Sequence, residues 1–264
     1  MNNKGRIISI CSVKGGVGKT TLTINLAGIY QYVKKKVLII DFDLYSGGIA
    51  TLLNLKNKKD IFMLTDSISN NRFTSISDYI EHYNNNIDVL PCPIDPREAS
   101  KIDSKYISVI LELAKKEYDV VLVDTNHILD ENNLTLYDNS YMSLFIITND
   151  LVDLKNMKSL MSIFKNLEKD NYLICLNNSK DTGKDFLSLF DIKNIIKTNI
   201  DYTISKNFYI RDIDKYMLNG EILTLNKKIV NTHSKDIENM KKLALDLIDD
   251  KHEKTGDKFW VSKV

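Results

Sequence analysis

The residues with the clearest chemical meaning form one run near the start of the chain, Cys11-Ser12-Val13-Lys14-Gly15-Gly16-Val17-Gly18-Lys19-Thr20-Thr21. Glycines at this density let a backbone curl so that its N–H groups face phosphate oxygens, and a helix beginning there adds the positive end of its dipole. In such a P-loop Lys14, Gly15, Gly16, Val17, Gly18, Lys19, Thr20 and Thr21 line a nucleotide. Lys19 reaches the β- and γ-phosphates, the Thr20 hydroxyl ligates Mg²⁺, and Thr21 contacts the α-phosphate. ATP and Mg²⁺ are the expected ligands. Three carboxylates could complete the site: Asp41 and Asp43, which follow one apolar run, and Asp124, which ends another. A lone aspartate after a strand is more often a turn or cap residue. Two acidic strand ends behind one P-loop point instead to a shared site.

The elements that must position these residues are legible as a pattern. Apolar runs at 7–11, 37–40 and 120–123 are of strand length, rich in Val and Ile, and lack polar alternation, as strands covered on both faces do. Further candidates lie at 87–90, 144–147 and 172–176. Between them, Leu22, Leu26, Ile29, Tyr30 and Val33 share one helix face directly after the P-loop. Leu154, Met157, Leu160, Met161, Phe164 and Leu167 share another behind an Asp150 cap, and a last helix is expected over 234–248. Strands alternating with such helices predict an α/β fold, a doubly wound and mostly parallel sheet flanked by helices. No linker or repeat divides the chain, so one ATPase domain is expected over 1–250, followed by a short polar tail, 251–264.

Composition narrows the classes. Lys plus Arg (36) almost balance Asp plus Glu (35), leaving no global field for nucleic acid or anionic lipid. Cys11, Cys92 and Cys175 show no metal-ligand spacing and read as reduced thiols. No run has the length of a membrane span, and the first residues lead straight into a strand without a signal peptide.

Val13 stands where the strict P-loop pattern has glycine, and Lys14 follows it. With that change Lys14-Gly15-Gly16-x-Gly18-Lys19-Thr20 resembles the MinD/ParA family of deviant Walker A ATPases. The resemblance implies a nucleotide-dependent face-to-face homodimer in which Lys14 crosses to the nucleotide of the opposite subunit. It implies a catalytic set of Lys14, Lys19 and Asp43, with Asp43 orienting the attacking water. Its metal set is Thr20, Asp41 and Asp124, the last holding Mg²⁺ through water, and Asn177 occupies the place that contacts adenine. The loop after Asp124 departs from the family. Thr125-Asn126-His127 replaces a proline-containing segment and is less restrained in φ.

The stretch Asp41-Phe42-Asp43-Leu44-Tyr45-Ser46-Gly47-Gly48-Ile49-Ala50 is similar to the TadZ/CpaE branch, as are Leu134-Thr135-Leu136-Tyr137-Asp138 and the segment 208–225. That branch implies a cytoplasmic protein, at the cell pole or the inner face of the membrane, that positions Flp/Tad pilus or secretion machinery. Its receiver-like N-terminal domain is not expected here. Two alternatives stand beside it. A ParA-type DNA segregation ATPase would need a basic dimer surface, for which Lys34-Lys35-Lys36 and Lys227-Lys228 are the candidates. A MinD-like membrane cycle would need a terminal amphipathic helix, and the tail with Phe259 and Trp260 is short for that. A reductase with a shared iron–sulfur cluster is disfavoured by the cysteine positions.

Overall fold

The computed structural model describes residues 5–56, 58–179, 187–208, 210 and 213–252. Eight strands, β1 (Arg6–Cys11), β2 (Val37–Phe42), β3 (Glu81–His82), β4 (Ile87–Leu90), β5 (Val120–Thr125), β6 (Met142–Ile147), β7 (Tyr172–Asn177) and β8 (Tyr202–Ile204), form one sheet. Their order is β3-β4-β2-β5-β1-β6-β7-β8. Every pairing is parallel except β3 with β4 at one edge. Parallel strands need helices on both faces, and the runs Val37–Phe42 and Val120–Thr125 are buried at every position. Alternation then sorts the strand side chains. Ile8, Ile10, Ile39 and Leu122 join one core, while Ile7, Leu38, Ile40 and Val121 join the core on the opposite face.

The helices are α1 (Lys19–Tyr32), α2 (Ile49–Leu52), α3 (Ile61–Ser69), α4 (Ser104–Glu117), α5 (Glu131–Asn139), α6 (Leu151–Asn166), α7 (Leu189–Ile196), α8 (Ile213–Leu218), α9 (Lys227–Thr232) and α10 (Ser234–Asp246). The P-loop helix α1 is more than a one-faced surface helix, because all residues from Leu22 to Tyr30 are buried. It lies between the sheet and a C-terminal layer. The Tyr30 hydroxyl donates to Ala244 O at 2.7 Å, and Thr224 donates to Asn25 twice, from Oγ1 to its carbonyl at 2.8 Å and from N to its Oδ1 at 3.1 Å. Threonines, isoleucines and Gly28 make α1 a mediocre helix by intrinsic preference. Burial decides the outcome, since each fully buried Leu or Ile contributes about 1.5–3 kcal/mol.

Two differences from the sequence reading bear on the site. Asp41 and Asp124 are not past the strand ends but inside β2 and β5, paired in register with each other. The ladder carries on through them to Phe42 and Thr125, so their backbones are satisfied and only their side chains remain for chemistry. The last helix stops at Asp246, while Leu247 stays buried. The aromatic stretch at 258–264 lies outside the described residues.

Candidate functional site

The loop between β1 and α1 sits at the carboxyl end of β1, where the chain turns to opposite sides of the sheet and ligands of such folds bind. Gly16 and Gly18 hold φ of 76° and 98°. A Cβ on Gly18 would fall 2.6 Å from Asn177 Nδ2, so the position excludes side chains on two grounds. Helices α3, α4, α5 and α6 are capped by Asp60, Asp103, Asp130 and Asp150, whereas α1 has no side-chain cap and no acid in its first turn. Its N–H groups are left for an anion.

Ser12, Lys14, Lys19 and Thr20 are each tied to a protein partner. Lys19 is buried, and its Nζ donates to Ser12 Oγ at 2.9 Å; Ser12 Oγ in turn donates to Lys14 O at 2.8 Å. Thr20 Oγ1 donates to Asp124 Oδ2 at 2.6 Å. Lys14 Nζ pairs with Asp150 Oδ2 at 2.9 Å, both side chains being 40% exposed. Asp150 also accepts from Val152 N and Asp153 N as the cap of α6. The Asp153 N–H and then Lys14 hold its carboxyl below the usual carboxylate range.

Behind the loop, register places Asp41 beside Asp124. Burial, then the charge of Asp124, pushes the Asp41 carboxyl up to about 7. Burial pushes Asp124 up to about 6, against Thr20, Lys19 and Thr23. Asp41 Oδ2 accepts from Ile49 N at 3.0 Å, but its Oδ1 is buried with no hydrogen-bond partner. The chain crosses directly over this carboxylate at Gly47, where a Cβ would stand 2.4 Å from Oδ1. Burial and the Asp41 charge raise the neighbouring Cys92 thiol to about 12, which makes it inert. Asp43 lies on the rim, half-buried, its carbonyl accepting from Ser46 N and Gly47 N.

The donor set fits Mg²⁺. An orphaned carboxylate oxygen, a second buried carboxylate and a hydroxyl suit a hard cation that completes its shell with water and phosphate oxygens. Among the described residues no group of three or more His, Cys, Asp or Glu forms a cage able to hold a metal alone.

The proline-free loop after β5 is restrained by hydrogen bonds instead. Asn126 Oδ1 accepts from Ile128 N and from Asn133 Nδ2 at 2.8 and 2.7 Å, and Asn133 Nδ2 also donates to Ile128 O. This holds exposed His127 with its ring about 3.6 Å from where a Gly15 Cβ would be. Asn177 ends β7 and lines an apolar-walled pocket with Thr21, Ser179, Phe208 and Met240, a suitable site for a base. Its amide is engaged by the protein, however. Nδ2 donates to Val17 O at 2.8 Å, and Oδ1 accepts from Ser179 N and Oγ. All residues expected from sequence converge here. Ser12, Thr23, Asn126, Asn133 and the Lys14 partnership of Asp150 were missed, and nothing in their local sequence signals these contacts.

A family model described as "AAA domain" matches residues 5–179. The chain belongs to that family. Its deviant P-loop and paired buried carboxylates lie together at the end of β1, on the doubly wound sheet that MinD/ParA-type proteins share. The fold agrees with solved MinD/ParA structures. A ParA family ATPase from Chlorobium tepidum superposes with a TM-score of 0.75 at 20% identity, over 92% of this chain and 98% of that one. The septum site-determining protein MinD from Pyrococcus horikoshii, complexed with Mg-ADP, gives 0.73 at 20% identity, over 93% and 96%. Among sequences, a putative tyrosine-protein kinase in the cps region of Klebsiella pneumoniae is 30% identical over 48% of this chain and 17% of its own length. The chain spans less than two thirds of the curated relatives it first matches. No helix among the described residues is long and apolar enough to cross a membrane.

Proposed function

We propose that this ATPase is a spatial-positioning switch, closing as a homodimer around ATP and reopening after hydrolysis. The observation that carries this reading is Lys14. The Lys19, Asp41 and Asp124 side chains that would hold phosphate and metal in one subunit are buried, whereas the Lys14 side chain is 40% exposed and held by an ion pair with Asp150. A cation so placed is free to act on a second nucleotide facing it.

Within one subunit, the N-terminus of α1 and Lys19 would hold the phosphates, exchanging Ser12 for phosphate oxygens. Thr20, Asp41 and Asp124 would hold Mg²⁺, which when bound neutralises charge developing on the phosphoryl oxygens. Asp43 on the rim would orient the attacking water. Lys14 from the facing subunit would add charge at the same point, the kind of contribution worth about 10³–10⁵ in rate when an arginine supplies it. Catalysis here is positioning and electrostatics, and the dimer adds its last charge only when closed.

The fold-mates named ParA and MinD favour partitioning or division-site placement as the cellular task. The text from Asp41 to Ala50 favours the narrower reading, polar placement of Flp/Tad pilus or secretion machinery from the cytoplasmic face. Light scattering with ATP and Mg²⁺ tests the switch: wild type doubles in mass, and Lys14→Ala or Lys19→Ala stays monomeric. A wild-type mass that ignores nucleotide refutes it. DNA retardation at physiological salt would select the partition task, and liposome sedimentation a membrane one. Phosphate appearing on tyrosine rather than in solution would support a kinase like the Klebsiella relative.

A further inference from the structure

Asp124 is 1% exposed and carries one hydroxyl on each oxygen. Thr20 Oγ1 lies 2.6 Å from Oδ2, and Thr23 Oγ1 lies 3.0 Å from Oδ1. Thr23 is fully buried one turn along α1, and its hydroxyl also lies 3.0 Å from Lys19 O. A threonine inside a helix commonly turns its hydroxyl to the carbonyl four residues back. Here one proton faces two acceptors. Lys19 O is already the acceptor of a helix N–H, whereas Thr23 is the donor that the structure provides for Asp124 Oδ1. A buried carboxylate without a partner is far costlier than a carbonyl that keeps its ladder bond, and bonds to a charged acceptor are the stronger ones. The proton therefore belongs to the carboxylate.

We infer that Thr23 is a positioning residue of the metal site, its hydroxyl fixing the Asp124 carboxylate so that Oδ2 faces Thr20. The inference rests on the reading of Asp124 as a metal-side carboxylate. Thr23 touches neither phosphate nor metal; it sets the angle of the group that does. Without it the carboxylate can turn about its last torsion, and Oδ2 no longer stands where the metal's shell needs it. Removal of a residue that orients a metal ligand typically weakens metal affinity about 10- to 100-fold.

The test uses the full chain and a fluorescent ATP analogue, titrated first in EDTA and then with Mg²⁺. Thr23→Val keeps shape and loses the hydroxyl, Thr23→Ser keeps the hydroxyl, and Thr23→Ala serves if valine does not fold. The valine or alanine variant is expected to bind the analogue in EDTA within about twofold of wild type, as the P-loop is untouched. Its Mg²⁺ half-saturation should rise about 10- to 100-fold, and serine should restore it. Three results overturn the inference: an unchanged Mg²⁺ requirement, an equal loss in EDTA, or a serine variant as impaired as valine. If wild-type binding itself ignores Mg²⁺, the metal reading of Asp124 fails first, and a different observation has failed from the one that tests Thr23.

Discussion

Replacing Asp150 by Asn should make the ATP-bound dimer tighter. Asn caps a helix as well as Asp does, so the hydrogen bonds to Val152 N and Asp153 N survive and α6 keeps its start. The change removes the charge that holds Lys14 at 2.9 Å. With both side chains 40% exposed, the pair is worth only about 0.5 kcal/mol after screening. A symmetric dimer must release two such pairs, about 1 kcal/mol in all, or roughly fivefold in the dimer dissociation constant. Sedimentation with a non-hydrolysable ATP analogue and Mg²⁺ measures it. Because Lys14→Ala stays monomeric, any general effect on α6 is separated by thermal melting of Asp150→Asn in that background, where the change should be neutral. A dimer that is unchanged or weaker in Asp150→Asn would refute the idea that Lys14 must leave Asp150 to work.

Three further outcomes follow from the same geometry. The Asp41 and Asp124 carboxyls, raised to about 7 and about 6, keep protons in the folded chain that the unfolded chain loses near pH 4. Stability without metal should therefore fall as pH rises from about 4 to about 7, by up to about 1.4 kcal/mol per pH unit for each proton, and then level. Denaturation midpoints across pH check this, and an opposite slope together with no effect of Mg²⁺ would refute it. Asn177→Ala should lower ATP and GTP affinity by similar factors, because both lone pairs of its oxygen are taken by Ser179 and its amide braces Val17; a selective loss of ATP binding would show instead that it reads adenine. Gly47→Ala should cost about 1–3 kcal/mol in a melting experiment, since its Cβ would lie 2.4 Å from Asp41 Oδ1. A neutral result there would mean that the carboxylate moves freely.

The phosphate loop was legible because its chemistry is carried by residue types in one short run. Periodicity likewise identified the buried face of α6, and Asp150 as its cap. The pairing of Asp41 with Asp124 was not legible, since it depends on the register of two strands far apart in the chain. A strand end also cannot be read where an acidic residue continues the ladder. Sequence treated the missing proline after Asp124 as freedom, but loop Asn126, bonded to buried Asn133 of α5, restores the restraint. Asn177 ends β7 beside the phosphate loop, and its bond to Val17 is a tertiary contact that sequence does not show.

These contacts bear on what nucleotide binding can cost and gain. Lys14, Lys19 and Thr20 already have partners in Asp150, Ser12 and Asp124, so a triphosphate exchanges hydrogen bonds rather than adding them. An exchange of that kind yields only about 0.5–1.5 kcal/mol per bond, unless the new partner is more highly charged than the old. The exchange at Lys19 replaces a neutral serine hydroxyl by a phosphate and is strongly favourable. In the proposed dimer the exchange at Lys14 would replace an exposed carboxylate by a more highly charged anion in the other subunit, less about 0.5 kcal/mol for each Asp150 pair released. The uncapped N-terminus of α1 and Asp41 Oδ1 exchange nothing and only gain. On the proposed reading, nucleotide would be gripped first by the single subunit, and closure of the dimer would then add Lys14. That division would place the control of association at the Lys14–Asp150 pair rather than at Lys19 and Thr20.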